Sequence, residues 1–422
     1  MQPRSILPLD KIWLSDPQFW VRPLEEREGA FATLRRERPI SFHEELDTGF
    51  FPKGPGFWSL TKHADILLAS RQPELFCSGK GSNIGDLPEP FLEFFGSMIN
   101  MDDPRHARLR RIVSRGFTPR MVQRVDDQVQ EVATAIVDRV RDMGSCDFVT
   151  EIAAALPLEI ICDMMGIPKS QQKFVFDRTN SILGAGDPEY TSDPTQIVPN
   201  LLRAGAELSE LVQELGRERV KRPTDDLTSA MINAEVDGER LTSQELGSFF
   251  VLLVVAGNET TRNAISHGLK ALCDYPEQRA IWQSDFESVA PTAVDEIVRW
   301  ATPVIHFRRT ATQDTEIRGQ KIAAGQKVVL WYCAANRDEE VFREPYKFDV
   351  RRAPNPHVGF GGPGPHFCLG AHLARREITV MFRELFRRLP DIHVTAPPDR
   401  LASFFIHGLK HMQCEFTPGG KG

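Results

Sequence analysis

The stretch that decides the fold is FGGPGPHFCLG, residues 360–370, a glycine- and proline-rich loop that contains one cysteine, Cys368. A helical pattern starts directly after it, at Ala371. A helix N-terminus and the backbone N–H groups of such a loop favour the thiolate, the form of cysteine that binds metal. Gly364 and Gly370 allow a large flat ligand to approach the backbone closely. The alternative interpretation is a tight turn around a buried structural cysteine.

The composition is that of a globular protein and argues against several classes. The chain has 422 residues, of which 41% are hydrophobic and 26% are charged, and its formal net charge is −7. This balance argues against disorder and against nonspecific nucleic-acid binding, which needs a basic surface. The seven cysteines form no CxxC pair, so neither a disulfide framework nor a zinc ribbon is predicted. No apolar run approaches the ~18 residues of a membrane span, and we expect a cytoplasmic location.

Hydrophobic periodicity predicts a mainly α fold with a small β portion. Helices are predicted at residues 121–143, 151–165, 201–220, 242–273, 291–300 and 371–389, and short strands at residues 56–61, 315–318 and 328–332. Neither repeats nor a biased linker interrupt the pattern. One domain over residues 1–422, without a fused reductase, is therefore predicted. The loop at residues 79–90 is predicted to be a mobile gate.

The long predicted helix carries the segment AGNETT, residues 256–261, directly after a run of apolar residues. A carboxylate such as Glu259 costs free energy at this position unless it is paired or used. The neighbouring Thr260 can hydrogen-bond a backbone carbonyl and open the helix locally. Ala256 and Gly257 are small and leave room beside the helix. The alternative is a helix end with a polar patch.

Two other helical segments carry side chains that share a face. Glu296 and Arg299 are three residues apart and can pair, which taken alone is typical of a solvated surface. His106 and Arg110 are four residues apart in a segment rich in arginine. Cations at this spacing are suited to hold two carboxylates, and the alternative is an exposed basic helix.

Taken together, these segments resemble the cytochrome P450 family and stand in the order that the family has. The resemblance covers about residues 31–416 and implies the P450 fold and a haem b cofactor (iron protoporphyrin IX). It makes the Cys368 thiolate the axial ligand of the haem iron. The family usually has phenylalanine seven residues before the cysteine, where this chain has Gly361, with Phe360 preceding it. An extra loop glycine is compatible with a Phe360 ring over the sulfur.

The resemblance also implies roles for residues elsewhere in the chain. Glu259 and Thr260 would be the acid–alcohol pair that delivers protons to iron-bound dioxygen. Glu296, Arg299 and Arg352 would form a structural triad behind the haem. The residues implied to bind the haem, the first four of them at its propionates, are His106, Arg110, Arg309, His366, Phe360 and Gly370.

Within the family, four framework segments are similar to those of mycobacterial P450s that hydroxylate methyl-branched lipids at the chain end. These segments are residues 29–37, 160–168, 254–263 and 330–338. We expect hydroxylation at the terminal (ω) carbon of methyl-branched lipids or fatty acids, with a sterol or terpenoid hydroxylase as the alternative. The segment at residues 174–190 is expected to line the substrate pocket. The single positions that match the pocket of the family are apolar, which suits an apolar substrate. They are Met98, Leu252, Val255, Ala256, Ile305, Phe405 and Ile406.

The expected partners are dioxygen, a ferredoxin and a ferredoxin reductase, because no second redox domain is predicted. An acidic electron donor would dock on the arginines at positions 105, 108, 111, 115 and 120, although a solvated face explains each of them equally well. We expect a monomer that does not bind nucleic acid. A non-catalytic haem-thiolate sensor and a peroxide-driven peroxygenase are the remaining alternatives, and the intact acid–alcohol pair argues against both.

Overall fold

The structure, a computed structural model, describes residues 2–4, 6–47, 53–117, 119–185, 187–235 and 238–419, with only the backbone of residues 90, 119, 120, 122, 183 and 194. The α-helices of this part of the chain are α1 (Pro17–Trp20), α2 (Leu24–Glu37), α3 (His63–Arg71), α4 (Glu89–Gly96), α5 (Arg105–Gly116), α6 (Pro119–Val140), α7 (Ala155–Met165), α8 (Lys169–Leu183), α9 (Ile197–Lys221), α10 (Leu227–Asn233), α11 (Ser243–Asp274), α12 (Pro276–Ser284), α13 (Phe286–Ala301), α14 (Tyr332–Ala335) and α15 (Ala371–Arg388). The β-strands are β1 (Ile40–His43), β2 (Phe57–Leu60), β3 (Phe76–Cys77), β4 (Ser145–Asp147), β5 (His306–Ala311), β6 (Thr315–Ile317), β7 (Gln320–Ile322), β8 (Lys327–Trp331), β9 (His393–Val394), β10 (Asp399–Arg400), β11 (Leu409–His411) and β12 (Gln413–Glu415). The predicted mainly α fold with a small β portion is confirmed.

Helices with strong periodicity form where the sequence predicts them. The prediction at residues 121–143 corresponds to α6, and that at residues 201–220 corresponds to α9. In α6 the periodic apolar side chains Val125, Val129 and Ile136 are buried. The hydrophobic stripe therefore decides both the position of the helix and the face that it buries.

Two helices differ from their predictions. The segment predicted as one helix at residues 151–165 forms a π-helix over Val149–Ala153 and then α7. Helix α13 begins at Phe286 and continues through Pro291, which the sequence suggested as its start. Buried side chains on the added turn, Val289 among them, provide packing that compensates for the hydrogen bond lost at proline.

The chain folds into two compact units. The first comprises residues 1–88, 275–371 and 402–408, and the second comprises residues 89–274, 372–401 and 409–422. The single-domain prediction is not tested by this division and stays a prediction.

The first unit is built around a five-stranded sheet in the order β1-β2-β8-β5-β3. Strand β8 is parallel to β2 and antiparallel to β5. Alternate side chains of β8 enter two different cores, because successive residues of a strand point to opposite faces. Val329 and Trp331 pack with Phe31 in one cluster. Val328 and Leu330 pack in the other.

The loop predicted to be mobile, residues 79–90, is held along its first half. The Arg308 side chain on β5 donates hydrogen bonds to the carbonyl oxygens of Lys80 and Asn83, the second at 3.2 Å, and to Asp86 Oδ1 at 2.6 Å. Arg308 is itself buried. These contacts argue against mobility in residues 80–86, because a mobile loop has few hydrogen bonds that anchor it.

The second unit is helical and is organised around α11. This helix packs against α4, α7, α8 and α9, and it is buried along most of its 32 residues. A helix that is apolar on most faces is expected in such a central position. A three-stranded sheet, β4-β12-β9, and the pair β10-β11 lie in the same unit. Among the described residues, no helix combines the length and apolar character that a membrane span requires.

Candidate haem-thiolate site

The cysteine loop is an ordered turn that ends at the start of α15. The Cys368 N–H donates a hydrogen bond to the Phe360 carbonyl oxygen at 3.0 Å, and the Phe367 N–H donates to Gly364 O at 3.1 Å. The loop backbone therefore brings Phe360 and Cys368 together despite the inserted Gly361. The Phe360 ring lies 5.8 Å from the His357 ring, measured between centroids. That the ring also covers the sulfur stays a prediction.

The glycines of this loop are required by the path of the backbone. Gly361 and Gly364 have φ angles of +85° and +149°, in the region that residues with a side chain rarely adopt. A Cβ atom on Gly362 would collide with the Ser70 side chain, and one on Gly364 would collide with the Ser70 carbonyl group. The loop is thus fixed against the C-terminal end of α3.

The surroundings of Cys368 fit a haem-thiolate site. All seven cysteines lie in the described part of the chain, and Cys368 alone is exposed. The alternative of a buried structural cysteine is therefore wrong. Its neighbours Phe367 and Leu369 are 39% and 36% exposed. A thiol flanked by accessible apolar side chains is a suitable donor for an iron in a large apolar macrocycle.

Two of the predicted propionate ligands lie on α5. His106 is buried, and its Nδ1 lies 3.3 Å from Asp103 Oδ1. Burial lowers the pKa of His106, although Asp103 opposes the shift. At neutral pH His106 is therefore a neutral hydrogen-bond donor. Arg110, one turn further along the helix, is half-buried.

The other two predicted propionate ligands lie in the first unit. Arg309 is on β5 and is only 6% exposed, and its Nη1 donates to the Arg308 carbonyl oxygen at 2.8 Å. His366 lies in the cysteine loop and is half-buried. Both are thus partly or wholly removed from water. A charge-assisted hydrogen bond to a carboxylate is strong in such a shielded environment. Their role at the propionates stays a prediction.

The middle of α11 carries an accessible stripe of four residues, and Val255 is partly exposed on another face. Leu253, Ala256, Gly257 and Thr260 are partly exposed, whereas almost all of the surrounding helix is buried. Their spacing places them on a single stripe, because residues three and four apart share a helix face. The predicted alcohol, Thr260, is thus on the accessible stripe. Its Oγ1 donates to the Ala256 carbonyl oxygen at 2.7 Å, as the sequence predicts.

The predicted acid, Glu259, is completely buried beside this stripe. Its Oε1 accepts hydrogen bonds from Arg262 Nη2 and from Asn263 Nδ2, the second at 2.8 Å. Its Oε2 has no hydrogen-bond partner among the described residues. A buried carboxylate that keeps one oxygen unpaired retains the capacity to accept a proton or a bound water.

The structural triad forms as the family resemblance implies. Glu296 accepts from Arg299 Nε at 2.7 Å and from Arg352 Nε at 3.0 Å. The Asp349 N–H and the Asn355 side chain also donate to Glu296, at 2.9 Å and 3.3 Å. Both carboxylate oxygens are therefore satisfied in a fully buried position. Its role behind the haem stays a prediction.

The predicted substrate contacts form two groups, one in each unit. In the second unit Met98 and Leu252 are buried, while Val255 and Ala256 are half-buried on α11. Ala256 alone of these lies on the accessible stripe.

In the first unit, Ile305, Phe405 and Ile406 are brought together. The Ile305 N–H donates to Phe405 O at 2.8 Å, and Ile406 pairs with Val304 in an isolated β-bridge. Ile305 packs in the core cluster that contains Trp331. This packing gives Ile305 a structural role, and substrate contact by these residues stays a prediction.

Sequence reasoning missed three polar residues of the second unit. Arg262 and Asn263 hold Glu259, and Arg262 is signalled by its spacing of three residues from the acid. Glu377 on α15 is buried and accepts a hydrogen bond from the Thr261 side chain. Burial raises the pKa of Glu377 to about 8. No local pattern marks Glu377, because its burial depends on the packing of distant elements.

The arginines predicted to form a docking surface are in part engaged by the protein itself. Arg105 pairs with Glu93 at 2.8 Å, and Arg108 pairs with Glu245 at 2.7 Å. The side chain of Arg120 lies outside the described residues. The exposed Arg105 pair is weak and leaves that residue able to dock, whereas the Arg108 pair is partly buried.

Comparison with known proteins identifies the family. The family model described as "Cytochrome P450" matches residues 203–405. A methyl-branched lipid omega-hydroxylase of Mycobacterium tuberculosis is 53% identical over 411 residues, 97% of this chain and 95% of that protein. A steroid C26-monooxygenase of the same species is 42% identical over 412 residues, 96% of this chain and 92% of that protein.

A solved structure agrees in fold over the whole chain. Mycobacterium marinum cytochrome P450 CYP268A2, in complex with pseudoionone, is 45% identical and superimposes with a TM-score of 0.92. The match covers 98% of this chain and 100% of that one. The predicted P450 fold is confirmed. With 53% identity to one P450 hydroxylase over 97% of its length, this chain belongs to the cytochrome P450 family and is a haem-thiolate monooxygenase.

Proposed function

We propose that this chain is a haem b monooxygenase that hydroxylates the terminal (ω) carbon of methyl-branched lipids or fatty acids. The observation that carries the substrate class is the 53% identity to a methyl-branched lipid omega-hydroxylase, against 42% to a steroid C26-monooxygenase. The apolar character of the predicted pocket residues supports an apolar chain as the substrate.

The residues that would hold the haem are those of the predicted site. The thiolate of Cys368 would bind the iron, with Phe360 and Gly370 beside the macrocycle. The propionates would be held by four donors at four positions, His106, Arg110, Arg309 and His366. When bound, the haem supplies the activation of dioxygen and the insertion of one oxygen atom into a C–H bond.

The polypeptide supplies the protons for this reaction. Thr260 is partly exposed on the accessible stripe of α11, and its Oγ1 can exchange the bond to Ala256 O for a bond to a ligand or water. Glu259 is adjacent in sequence and keeps Oε2 unpaired among the described residues. We assign Glu259 the role of proton source and Thr260 the role of the donor that contacts the oxygen ligand.

The iron ligand can be tested by replacement of Cys368. Cys368→Ala removes the thiolate, so we expect loss of the thiolate-type Soret band of the reduced carbon monoxide complex and loss of turnover. Cys273→Ala is the matched control, because Cys273 is not in the loop, and it should retain both. A thiolate-type spectrum in Cys368→Ala would refute the ligand assignment.

The substrate class can be tested by optical titration of the purified ferric protein. We expect isopalmitic acid, which has a methyl branch at the chain end, to shift the Soret band at a lower concentration than palmitic acid does. Cholestenone and pseudoionone complete the panel. Product analysis should then place the hydroxyl group on the terminal carbon. Tighter binding of palmitic acid would contradict a preference for branched chains.

A sterol or terpenoid hydroxylase is the second candidate. It is favoured by the identity to a steroid C26-monooxygenase and to the M. marinum P450 whose structure contains pseudoionone. A lower half-saturation concentration for cholestenone or pseudoionone than for isopalmitic acid would select it.

The electron donors are proposed to be a ferredoxin and a ferredoxin reductase, acting on a monomer. Arg111 and Arg115 are exposed on α5, within the arginine-rich segment, and support an acidic donor. Reduction that slows steeply with salt would agree with this proposal, and salt-independent reduction would contradict it. The cytoplasmic location stays a prediction.

A further inference from the structure

The acid Glu259 is held by two side chains of its own helix. Arg262 and Asn263 follow it by three and four residues, and both donate to the same carboxylate oxygen, Oε1. The side chains of Glu259 and Arg262 are 1% and 7% exposed. An ion pair so far removed from water fixes the geometry of the carboxylate more firmly than a surface pair does.

The two side chains that hold Glu259 reach different elements. Arg262 Nη1 donates to Asn180 Oδ1 on α8 at 3.4 Å. Asn263 Oδ1 accepts from the Leu409 N–H, at the start of β11, at 2.9 Å. The bond from Leu409 has an ordinary length, and its donor is a backbone N–H group. The bond to Asn180 is near the upper limit for a hydrogen bond, so it is the more easily broken of the two.

We propose that Arg262 is a positioning residue that makes the orientation of the Glu259 carboxylate depend on helix α8. One amino group of the guanidinium holds the acid and the other holds Asn180. Asn263 provides a fixed second contact. A displacement of α8 therefore breaks the Asn180 contact and frees Arg262 to move, while Asn263 stays in place, so the carboxylate turns about its bond to Asn263 and redirects Oε2.

The contacts around Tyr190 support this dependence. Tyr190 lies in the segment after α8, and both Arg262 and Glu259 act electrostatically on its hydroxyl group. Tyr190 also closes over Gly184, where a Cβ atom would collide with its ring. Tyr190, in the turn after α8, thus lies within electrostatic range of Arg262 and Glu259. Residues 174–190 are predicted to line the substrate pocket, so a substrate that displaces them reaches Glu259 through Arg262.

The proposal rests on the proposed function, in which Glu259 supplies protons, and two variants isolate the link. Asn180→Ala removes the contact on α8 and keeps the ion pair. Arg262→Lys keeps the positive charge but replaces the fork of two amino groups by one ammonium group, which cannot hold both partners in the same geometry. Asn200→Ala is the matched control, because Asn200 accepts from Arg203 at 2.9 Å on the surface of α9.

The first measurement is amide hydrogen exchange in the ferric holoenzyme without substrate. Coupling between two sites is reciprocal, so Glu259→Gln must loosen α8 if α8 positions Glu259. We expect exchange in the last two turns of α8 to rise about threefold in Glu259→Gln, which corresponds to a small local opening. Asn200→Ala should leave it unchanged. In Arg262→Lys, addition of Glu259→Gln should produce no further rise.

The second measurement is the product formed per electron pair consumed, with isopalmitic acid. We expect Asn180→Ala and Arg262→Lys each to lower this ratio about threefold, with KM unchanged, since positioning acts on proton delivery rather than on binding. The double variant should be no worse than either single variant. A merely structural role would change stability and leave the ratio and its pH profile unchanged.

The outcomes separate this proposal from the proposed function. An unchanged ratio in Glu259→Gln refutes the proton role of Glu259, and the exchange result alone then decides the mechanical link. A lowered ratio in Glu259→Gln together with unchanged exchange and ratio in Asn180→Ala overturns the link to α8. If isopalmitic acid is not hydroxylated, the substrate class fails and the exchange result decides the proposal.

Discussion

Two helices of this molecule carry the same spacing, a glutamate followed three residues later by an arginine, and they end in different chemistry. On α13, Glu296 and Arg299 are joined by Arg352, and both oxygens of Glu296 are satisfied. On α11, Glu259 and Arg262 lack a second cation within the described part of the chain, and Glu259 Oε2 has no partner there. A network that closes on itself stabilises the fold, whereas one that leaves an acceptor open can take part in a reaction.

A third buried glutamate extends the comparison. Glu377 accepts a hydrogen bond from the Thr261 hydroxyl group, and burial raises its pKa to about 8 without a compensating cation among the described residues. Glu296 is thus paired with two arginines, Glu259 with one arginine, and Glu377 with a hydroxyl group only. For Glu377, burial without a cation among the described residues favours the neutral form of the carboxyl group.

The largest expected effect is on the closed network. Glu296→Gln leaves two buried arginines without a compensating charge, so we expect the free energy of unfolding to fall by about 3–5 kcal/mol. Urea or thermal unfolding measures this loss. Glu316→Gln, at an exposed position on β6, should change it by less than about 0.5 kcal/mol. A similar small change in Glu296→Gln would break the distinction between the two networks.

The next effect concerns Glu377 and depends on pH. The pKa of Glu377 is raised from an ordinary value of 4.5 to about 8 in the folded protein, so the folded state holds the proton more tightly than the unfolded state. The stability from this group is present below about pH 4.5 and is lost as pH rises through about 8, at up to roughly 1.4 kcal/mol per pH unit.

Replacement of Glu377 isolates this contribution. Glu377→Gln is a neutral isostere, so we expect it to flatten the dependence of the unfolding free energy on pH between about 5 and 8. At the alkaline end of that range the variant should be more stable than the wild type. Denaturant unfolding at several pH values measures both curves. Parallel curves would show that Glu377 does not titrate in this range.

A smaller change in stability is expected at the open network, together with a large change in function. Glu259→Gln keeps an acceptor for Arg262 and Asn263 and loses the charge, so we expect a loss of about 1.5–3 kcal/mol in unfolding free energy. Product per electron pair should fall about tenfold or more, because a general acid is removed. If Glu296→Gln folds, it should keep the wild-type amount of product per electron pair. The same value in Glu259→Gln and Glu296→Gln would contradict the distinction between the open and the closed network.

The smallest effect on stability is expected at Thr260. Thr260→Ala removes one hydroxyl bond to a carbonyl of the same helix, so the unfolding free energy should change by less than about 0.5 kcal/mol. Electron consumption should continue while product falls and hydrogen peroxide accumulates. Thr379→Ala is the control, because Thr379 makes the same bond to Arg375 O, at 2.8 Å, on α15. Tight coupling in Thr260→Ala would count against its role as a donor.

Local patterns explain which parts of this architecture the sequence predicts. Periodic helices such as α6 and α9 form as expected, because one apolar stripe both selects the helix and buries it. The loop at residues 360–370 is predictable because its glycines are needed at fixed positions. Helix α13 begins earlier than expected because packing of its first turn, through Val289, is a tertiary effect.

The candidate site divides in the same way. The neighbouring residues in sequence identify Cys368, Glu259 and Thr260. The spacing of Arg262 from Glu259 is also visible in the sequence, but the role of Arg262 is not. Asn180 cannot be predicted, because it reaches Arg262 only after α8 and α11 have packed together. The anchoring of the loop at residues 79–90 depends in the same way on Arg308, a residue far away in the chain.

Hydroxylation by this P450 as proposed places one oxygen atom of dioxygen on the terminal carbon of a methyl-branched chain. The most direct measurement is mass spectrometry of the product formed from isopalmitic acid under isotopically labelled dioxygen, with a ferredoxin and its reductase as electron donors. We expect one labelled oxygen atom on the terminal carbon. A product without the label, or with the label only at in-chain carbons, would contradict it.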